Sequence, residues 1–335
     1  MDYKHFIGID VSKQWLDFAV MKDSQLLFHV QIENSLKGIQ SFFKQLKKEN
    51  DYALKASVFC MEHTGIYNNH LLSYLHKKEA NIWLESGIEI KHSSGLQRGK
   101  NDKVDAKRIA MYAYKNRDEV KLWKPKREVI QQLKHLTTLR SRLVNLSKQI
   151  KTPLKEAGDF ISKKIKKTSA ALCKNTVKAV QKDLDAVEHA IQSVIKSDAE
   201  LQRLFSIITS IAGIGPVTAT EVIITTNEFK DINCAKQFAC YSGVAPYDYG
   251  SGTSIRGKTR VSHMANKTMK TLLHLAALVA TSYNAEIKIY YERKVAEGKN
   301  KMLVLNAVRN KLIHRIFACV KQNRLFKTNY QYSLV

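Results

Sequence analysis

The chain has 335 residues, enough for two domains and a sizeable core. Its 55 Lys and Arg against 30 Asp and Glu give a net charge of +25, spread along the whole sequence, which favours an anionic polymer as partner, nucleic acid ahead of a membrane surface. The longest apolar stretches fall short of the roughly 18–20 residues a membrane span needs, and the first residues enter a strand with no signal-peptide pattern. Cys60, Cys173, Cys234, Cys240 and Cys319 are scattered, with no Cys-x-x-Cys spacing, and read as reduced thiols rather than a zinc site or disulfide framework. The expected location is the cytoplasm, at the nucleoid.

In chain order, residues 5–11 and 16–21 are short apolar runs, and 26–32 alternates in character. Residues 58–61 and 82–84 add two more strands, with helical stretches at about 38–49 and 68–78 between them. Strands that begin as neighbours and later alternate with helices predict a mixed α/β sheet. Residues 102–115 read as a helix, with Ile109, Ala110 and Tyr112 as candidates for its buried face, and the first domain is expected to span 1–123.

The middle segment, 124–200, has a different pattern. Leu139, Leu143, Leu146 and Ile150 repeat at helical spacing until Pro153 interrupts. After the basic cluster Lys163-Lys164-Ile165-Lys166-Lys167 comes a second seam: Val177, Val180, Leu184, Val187, Ile191 and Val194. Two such seams predict a coiled-coil spacer, against two helices packed on a globular core. The region 201–335 contains Gly213-Ile214-Gly215-Pro216, two glycines in a tight turn and a proline at a helix start, the sequence form of a helix-hairpin-helix turn. Backbone amides at Gly213 and Gly215 can hold a DNA phosphate without reading bases, although a plain helix–helix turn has the same sequence. A Tyr-rich polar loop with Ser251-Gly252 follows, and helices at about 264–282 and 301–320 close the chain.

Four acids stand out against this basic background. Asp10 closes the run Phe6-Ile7-Gly8-Ile9, Glu62 closes Val58-Phe59-Cys60-Met61, and Asp102 and Asp105 lie three apart at a helix start. Two-metal phosphodiester cleavage needs carboxylates bracketing ions about 4 Å apart, and oxygen-only ligands favour Mg²⁺, or Mn²⁺, over zinc. Any one of these acids has a bland reading, Asp102 as a helix cap or Glu62 as a solvated strand end. The set of four in strand–strand–helix order points to chemistry.

These residues carry a resemblance. Gly8-Ile9-Asp10-Val11-Ser12, Met61-Glu62-His63-Thr64-Gly65 and Asp102-Lys103-Val104-Asp105-Ala106 resemble the RuvC-like DEDD transposases of the insertion-sequence one-ten family. Further on, Gly213-Ile214-Gly215-Pro216, Gly243-Val244-Ala245-Pro246, Ser251-Gly252 and Arg256-Gly257-Lys258-Thr259-Arg260 are similar to that family's C-terminal transposase domain, while His263-Met264-Ala265 departs from its pattern. The resemblance implies an RNase H-like (RuvC-like) domain in which Asp10, Glu62, Asp102 and Asp105 hold Mg²⁺, and a mainly helical C-terminal domain in which Ser251 is the nucleophile, forming a phosphoserine link to DNA. It also implies a noncoding guide RNA as a partner and action as a homodimer or homotetramer. Arg256, Lys258 and Arg260 are expected to grip phosphates.

Three rivals remain at this level. One is a site-specific DNA invertase of the related Piv type; another is a RuvC-like junction nuclease in which water attacks and Ser251 is structural. The third is a catalytically dead nucleic-acid-binding protein, against which the intact acid set argues. Ser254 is the nearest alternative nucleophile, and Tyr241, Tyr247 and Tyr249 lack the His/Arg constellation of a tyrosine recombinase.

Overall fold

The computed structural model describes residues 3–49, 51–93, 95, 101–156, 160–247, 250–251, 255–257, 260–262 and 264–327. The chain divides into two compact units, Met1–Pro125 and Lys126–Val335.

In the first unit the strands are β1 (His5–Val11), β2 (Trp15–Lys22), β3 (Gln25–Glu33), β4 (Ser57–Glu62) and β5 (Asn81–Glu85). They interleave with helices α1 (Leu36–Leu46), α2 (Asn69–Lys77), α3 (Gly87–Ser93) and α4 (Asp102–Lys115). The sheet order is β3-β2-β1-β4-β5. The first three strands form an antiparallel meander, and β4 and β5 run parallel to β1, so β1 is central and the sheet is mixed.

Period-two alternation sends the side chains of β1 to two different layers. Ile7 and Ile9 join Phe18, Phe42, Phe59 and Leu71 in a core under α1 and α2. Phe6 points the other way, edge-on to Tyr114 of α4. Gly8 shares that second face, and α4 lies directly on it: a Cβ at Gly8 would stand 2.1 Å from the Ala110 nitrogen and 2.2 Å from the Ala106 carbonyl oxygen. The small residues Ala106, Ala110 and Ala113, with Ile109, form the buried side of α4, while Tyr112 is only partly buried. That close approach brings the first turn of α4 to the end of β1.

The second unit contains α5 (Glu128–Glu156), α6 (Lys163–Ser197), α7 (Ala199–Thr209), α8 (Pro216–Thr226) and α9 (Ala235–Tyr241). A two-stranded ribbon, β6 (Gly250–Ser251) and β7 (Ile255–Arg256), is followed by α10 (Lys267–Tyr283), α11 (Ala285–Ala296) and α12 (Lys301–Lys321). The expected interruption at Pro153 does not occur: α5 continues one turn past it. The helix runs on to Glu156 although Pro153 has no N–H to give the Gln149 carbonyl. The 264–282 stretch begins at Lys267, where Asn266 caps the helix, and the separate helix α11 was not foreseen.

Helices α5 and α6 pair antiparallel, with Arg140 bonded to Glu188 and Lys151 reaching Gln181. Val187, Ile191 and Val194 of α6, and Ile130 and Leu133 of α5, enter the core shared with α7, α8, α10 and α12. Farther out, Leu146 is exposed and Ile150 and Val177 are half-covered. Arg127 ties the start of α5 to both Asp198, the cap of α7, and Glu228. Asn227, Glu228 and Phe229 are consecutive left-handed residues, an arrangement disfavoured for side chains with a Cβ, and this ion pair holds its centre. No helix among the described residues is long and apolar enough to cross a membrane.

Candidate active site

Strand register places the acids. Asp10 lies on the α4 face of β1, two residues beyond Gly8. Glu62 ends the parallel neighbour β4, one step past the last paired residues Ile9 and Met61, with Cys60 opposite Gly8. Both therefore emerge at the same edge and on the same face of the sheet. Asp102 and Asp105 occupy the first turn of α4, whose start is fixed by Asn101: its side-chain oxygen accepts from the Val104 amide at 2.8 Å. The cap is thus Asn101, which leaves Asp102 free of that role. Acids in a first helical turn are also stabilised by the helix dipole.

Two further carboxylates lie on the same face, and the sequence reading missed them. Asp17 of β2 stands directly opposite Asp10, is buried, and accepts from His29 at 2.9 Å and Gln31 at 3.0 Å. Glu85 of β5 is in register with Glu62. It accepts from the Trp83 indole at 3.1 Å, the Tyr112 hydroxyl at 3.2 Å and the Ser86 amide at 2.8 Å. Asp17, Asp10, Glu62 and Glu85 therefore run across four adjacent strands. Glu85 ends its strand as any solvated acid can, and Asp17 stands inside an apolar strand, a weak signal by itself.

The Glu62 environment is closely built. A Cβ at Gly87 would come within 1.9 Å of Glu62 Oε1, so this carboxylate packs over bare backbone at the start of α3. Asn68, fully buried, donates to the Glu62 carbonyl at 2.9 Å and accepts from the Thr64 amide and hydroxyl, locking the turn after β4. His63 Nδ1 accepts from the Gly65 amide within that same turn.

The electrostatics tie the acids together. Burial, then the charges of Asp102, Asp105 and Asp17, push the Asp10 carboxyl from its ordinary 3.8 up to about 6. Burial and the neighbouring Glu85 raise the Tyr112 phenol. Asp105 is partly balanced by Arg108 at 2.6 Å. Among the described residues no three His, Cys, Asp or Glu side chains form a ready-made metal cage. The donor chemistry nevertheless suits a hard divalent cation: every donor is a carboxylate oxygen, and their mutual repulsion is what such a cation relieves.

The serine segment lies in the second unit. Tyr247 and Arg260 exchange backbone bonds of 2.9 and 3.1 Å, closing its base. Nearer the tip, Gly250 pairs with Arg256 and Ser251 with Ile255, so the backbones of Ser251 and Arg256 share one ribbon. Lys258, Gly252, Ser254, Tyr249 and His263 lie outside the described residues. Tyr241 is exposed, and its hydroxyl accepts from Asn266. The Gly213 turn joins α7 to α8. Gly213 has φ of 96°, and a Cβ there would meet the Ala276 carbonyl at 2.6 Å, so glycine is required twice over. Gly215 caps α8 ahead of Pro216, leaving backbone amides at that helix start.

Comparison with known proteins gives two family matches. Residues 7–163 match a DEDD-type transposase family, and residues 205–292 match the family described as transposase IS116/IS110/IS902. The chain is 24% identical over 328 residues to the pilin gene-inverting protein of Moraxella bovis, covering 96% of this chain and 98% of that one. The same protein of Moraxella lacunata is equally similar. An uncharacterized 43.6 kDa protein of insertion element IS110 from Streptomyces coelicolor is 27% identical over 139 residues, 42% of this chain and 34% of the relative.

Proposed function

The chain belongs to the IS110 family of transposases and is a DNA recombinase; on that premise we propose that it cuts and rejoins DNA through Ser251, served by the carboxylates on the α4 face. The observation that carries the reading is the meeting of Asp10 with the first turn of α4, registered in the upward push that Asp102 and Asp105 exert on its carboxyl. Carboxylates gathered at one sheet edge of a basic chain support a reading in which a cation and a phosphodiester bind there.

In this reading residues 1–123 carry the acids, 124–200 form the helical spacer and 201–335 carry the serine. Asp10, Glu62, Asp102 and Asp105 hold Mg²⁺ or Mn²⁺. A divalent cation bound there would supply charge neutralisation at a DNA phosphate. Ser251 Oγ loses its proton and bonds to phosphorus as one phosphorus–oxygen bond to the sugar breaks, and the departing sugar oxygen takes up a proton. The reverse attack by a sugar hydroxyl releases the serine and joins the new strand, with no nucleotide cofactor because the ester conserves the bond energy. Arg256, Lys258 and Arg260 neutralise neighbouring phosphates, and the Gly213–Gly215 amides hold another. A noncoding RNA pairing with both DNA partners is the family-level reading of target choice, and a dimer or tetramer brings the DNA ends together.

The test is a Mg²⁺-dependent cleavage assay on DNA carrying the native element ends, with RNA transcribed from the flanks. We expect a protein–DNA adduct on a denaturing gel, lost in Ser251→Ala and in Asp10→Ala. Cleavage that survives Ser251→Ala without any adduct would leave a nuclease using water. A second reading, a site-specific invertase, is favoured by the near full-length match to the pilin gene-inverting proteins. Inverted recombination sites around a single segment, in place of element ends, would select it.

A further inference from the structure

Helix α6 changes character along its length. Between Lys163 and Lys182 it contains seven lysines and no Asp or Glu, whereas Asp183, Asp185 and Glu188 all follow that stretch. At about 100° per residue, Lys163, Lys167, Lys174, Lys178 and Lys182 fall within a sector of about 100°, a stripe about 28 Å long. The apolar seam of Val177, Val180, Leu184 and Val187 points about 125° away from it. All five lysines are exposed, and among the described residues none forms an ion pair. Of the acids that follow, Asp185 accepts from Gln181 and Glu188 is taken by Arg140.

The stripe runs against what a solvated helix favours. Lys163/Lys167, Lys174/Lys178 and Lys178/Lys182 are like-charge pairs four residues apart, which destabilise a helix where Glu–Lys pairs would support it. The first turn has no acid and is crowded with lysine, opposite to the preference of the helix dipole. A sequence that breaks two local rules in one place usually does so for function.

We propose that this outer face of α6 is a docking surface for duplex DNA, tracking the phosphate backbone without reading sequence. One strand of DNA carries a phosphate about every 3.4 Å of axis, so the stripe faces about eight of them. Lysine, a compact point charge on a long stem, suits such contacts. The proposal rests on the chain's being a DNA transposase, and it deepens that reading by assigning a DNA-holding surface to residues that do not cut.

The test is fluorescence anisotropy with a 40-base-pair duplex of arbitrary sequence, in EDTA, across a range of salt. It involves no cleavage, so it succeeds or fails separately from the serine chemistry. Changing the five stripe lysines to Gln keeps helix propensity, and circular dichroism checks that the fold is retained. We expect the slope of log affinity against log salt to fall by about 4, and affinity at 100 mM salt to drop at least about tenfold. Changing the same five to Arg should restore both. A control set of exposed lysines in the first unit, Lys37, Lys44, Lys47, Lys48 and Lys77 to Gln, should change the slope by no more than about 1. An unchanged slope in the stripe variant, or an equal fall in the control, overturns the proposal. So does a loss confined to an RNA duplex of the same length, or a loss of self-association with DNA binding intact, which would give the face to RNA or to a second copy.

Discussion

The carboxylate face and the serine ribbon are built in opposite ways. The acids stand at the ends of strands and in a helix turn whose positions are set by core packing: Gly8 against the backbone of α4, Gly87 under Glu62, and buried Asn68 behind the turn. The serine sits on two two-residue strands whose base is closed by backbone bonds between Tyr247 and Arg260. One site is therefore coupled to the stability of its unit, and the other depends on a few local bonds. The difference teaches where each is vulnerable: packing changes should disable the acids, and only direct changes should disable the serine.

The largest effect that would break this contrast is at Gly8. A methyl group there collides with α4 backbone at 2.1 Å, and overpacking of this kind costs about 3 kcal/mol. The tryptophans Trp15, Trp83 and Trp123 all lie in the first unit, so their fluorescence reports on it alone. Gly8→Ala should lower the urea midpoint of that signal and abolish metal-dependent cleavage. An unchanged midpoint would mean that α4 does not hold the acids as described.

A smaller effect is expected at Glu85, beside Glu62. Its carboxylate orders Trp83, Tyr112 and Ser86, and residues that orient metal ligands typically weigh 10- to 100-fold in metal affinity. Glu85→Gln should weaken Mn²⁺ binding, measured by calorimetry on the DNA-free protein, by about tenfold. An unaltered affinity would make Glu85 a plain strand end.

The metal-free protein should also be destabilised by burial of the Asp10 charge and by the acids around it. Because the Asp10 carboxyl is raised from 3.8 to about 6, the folded state holds its proton more tightly than the unfolded chain. The resulting destabilisation is absent below pH 3.8, grows between 3.8 and 6, and is complete above 6. Asp10→Asn should therefore raise stability in EDTA at pH 8 by about 1–2 kcal/mol, the full shift being discounted for partial exposure. It should give no gain near pH 3.5. A loss of stability at pH 8 would contradict this cost of burying the Asp10 charge among other acids.

The smallest effect belongs to the ribbon. The Arg260 side chain is not part of the backbone bridge, so Arg260→Ala should leave thermal unfolding, followed by circular dichroism, unchanged. It should lower the salt slope of DNA binding by about 1. Any large drop in stability would show that the ribbon is coupled to its core after all.

Much of this was legible in the sequence because it rests on local pattern. The five strands and the helix from Asp102 to Lys115 follow from period and capping, and the four acids stand out at strand and helix ends. What was not legible depends on pairing between distant segments. Asp17 and Glu85 join the face only through strand register, and the clash-free seats at Gly8 and Gly87 only through close packing. The α11 helix escaped because its buried side is nearly Ile287 alone, giving no apolar stripe to read.

The most direct measurement is to locate the covalent link. Protein trapped on cleaved DNA would be digested with nuclease and trypsin and the modified peptide sequenced by mass spectrometry. The tryptic peptide Gln237–Arg256 contains Ser251 together with its rivals Ser254, Tyr241, Tyr247 and Tyr249, so a single spectrum distinguishes them. Attack by the serine predicts a nucleotide on Ser251. A nucleotide on any other residue, or cleaved DNA with no modified peptide, would contradict it.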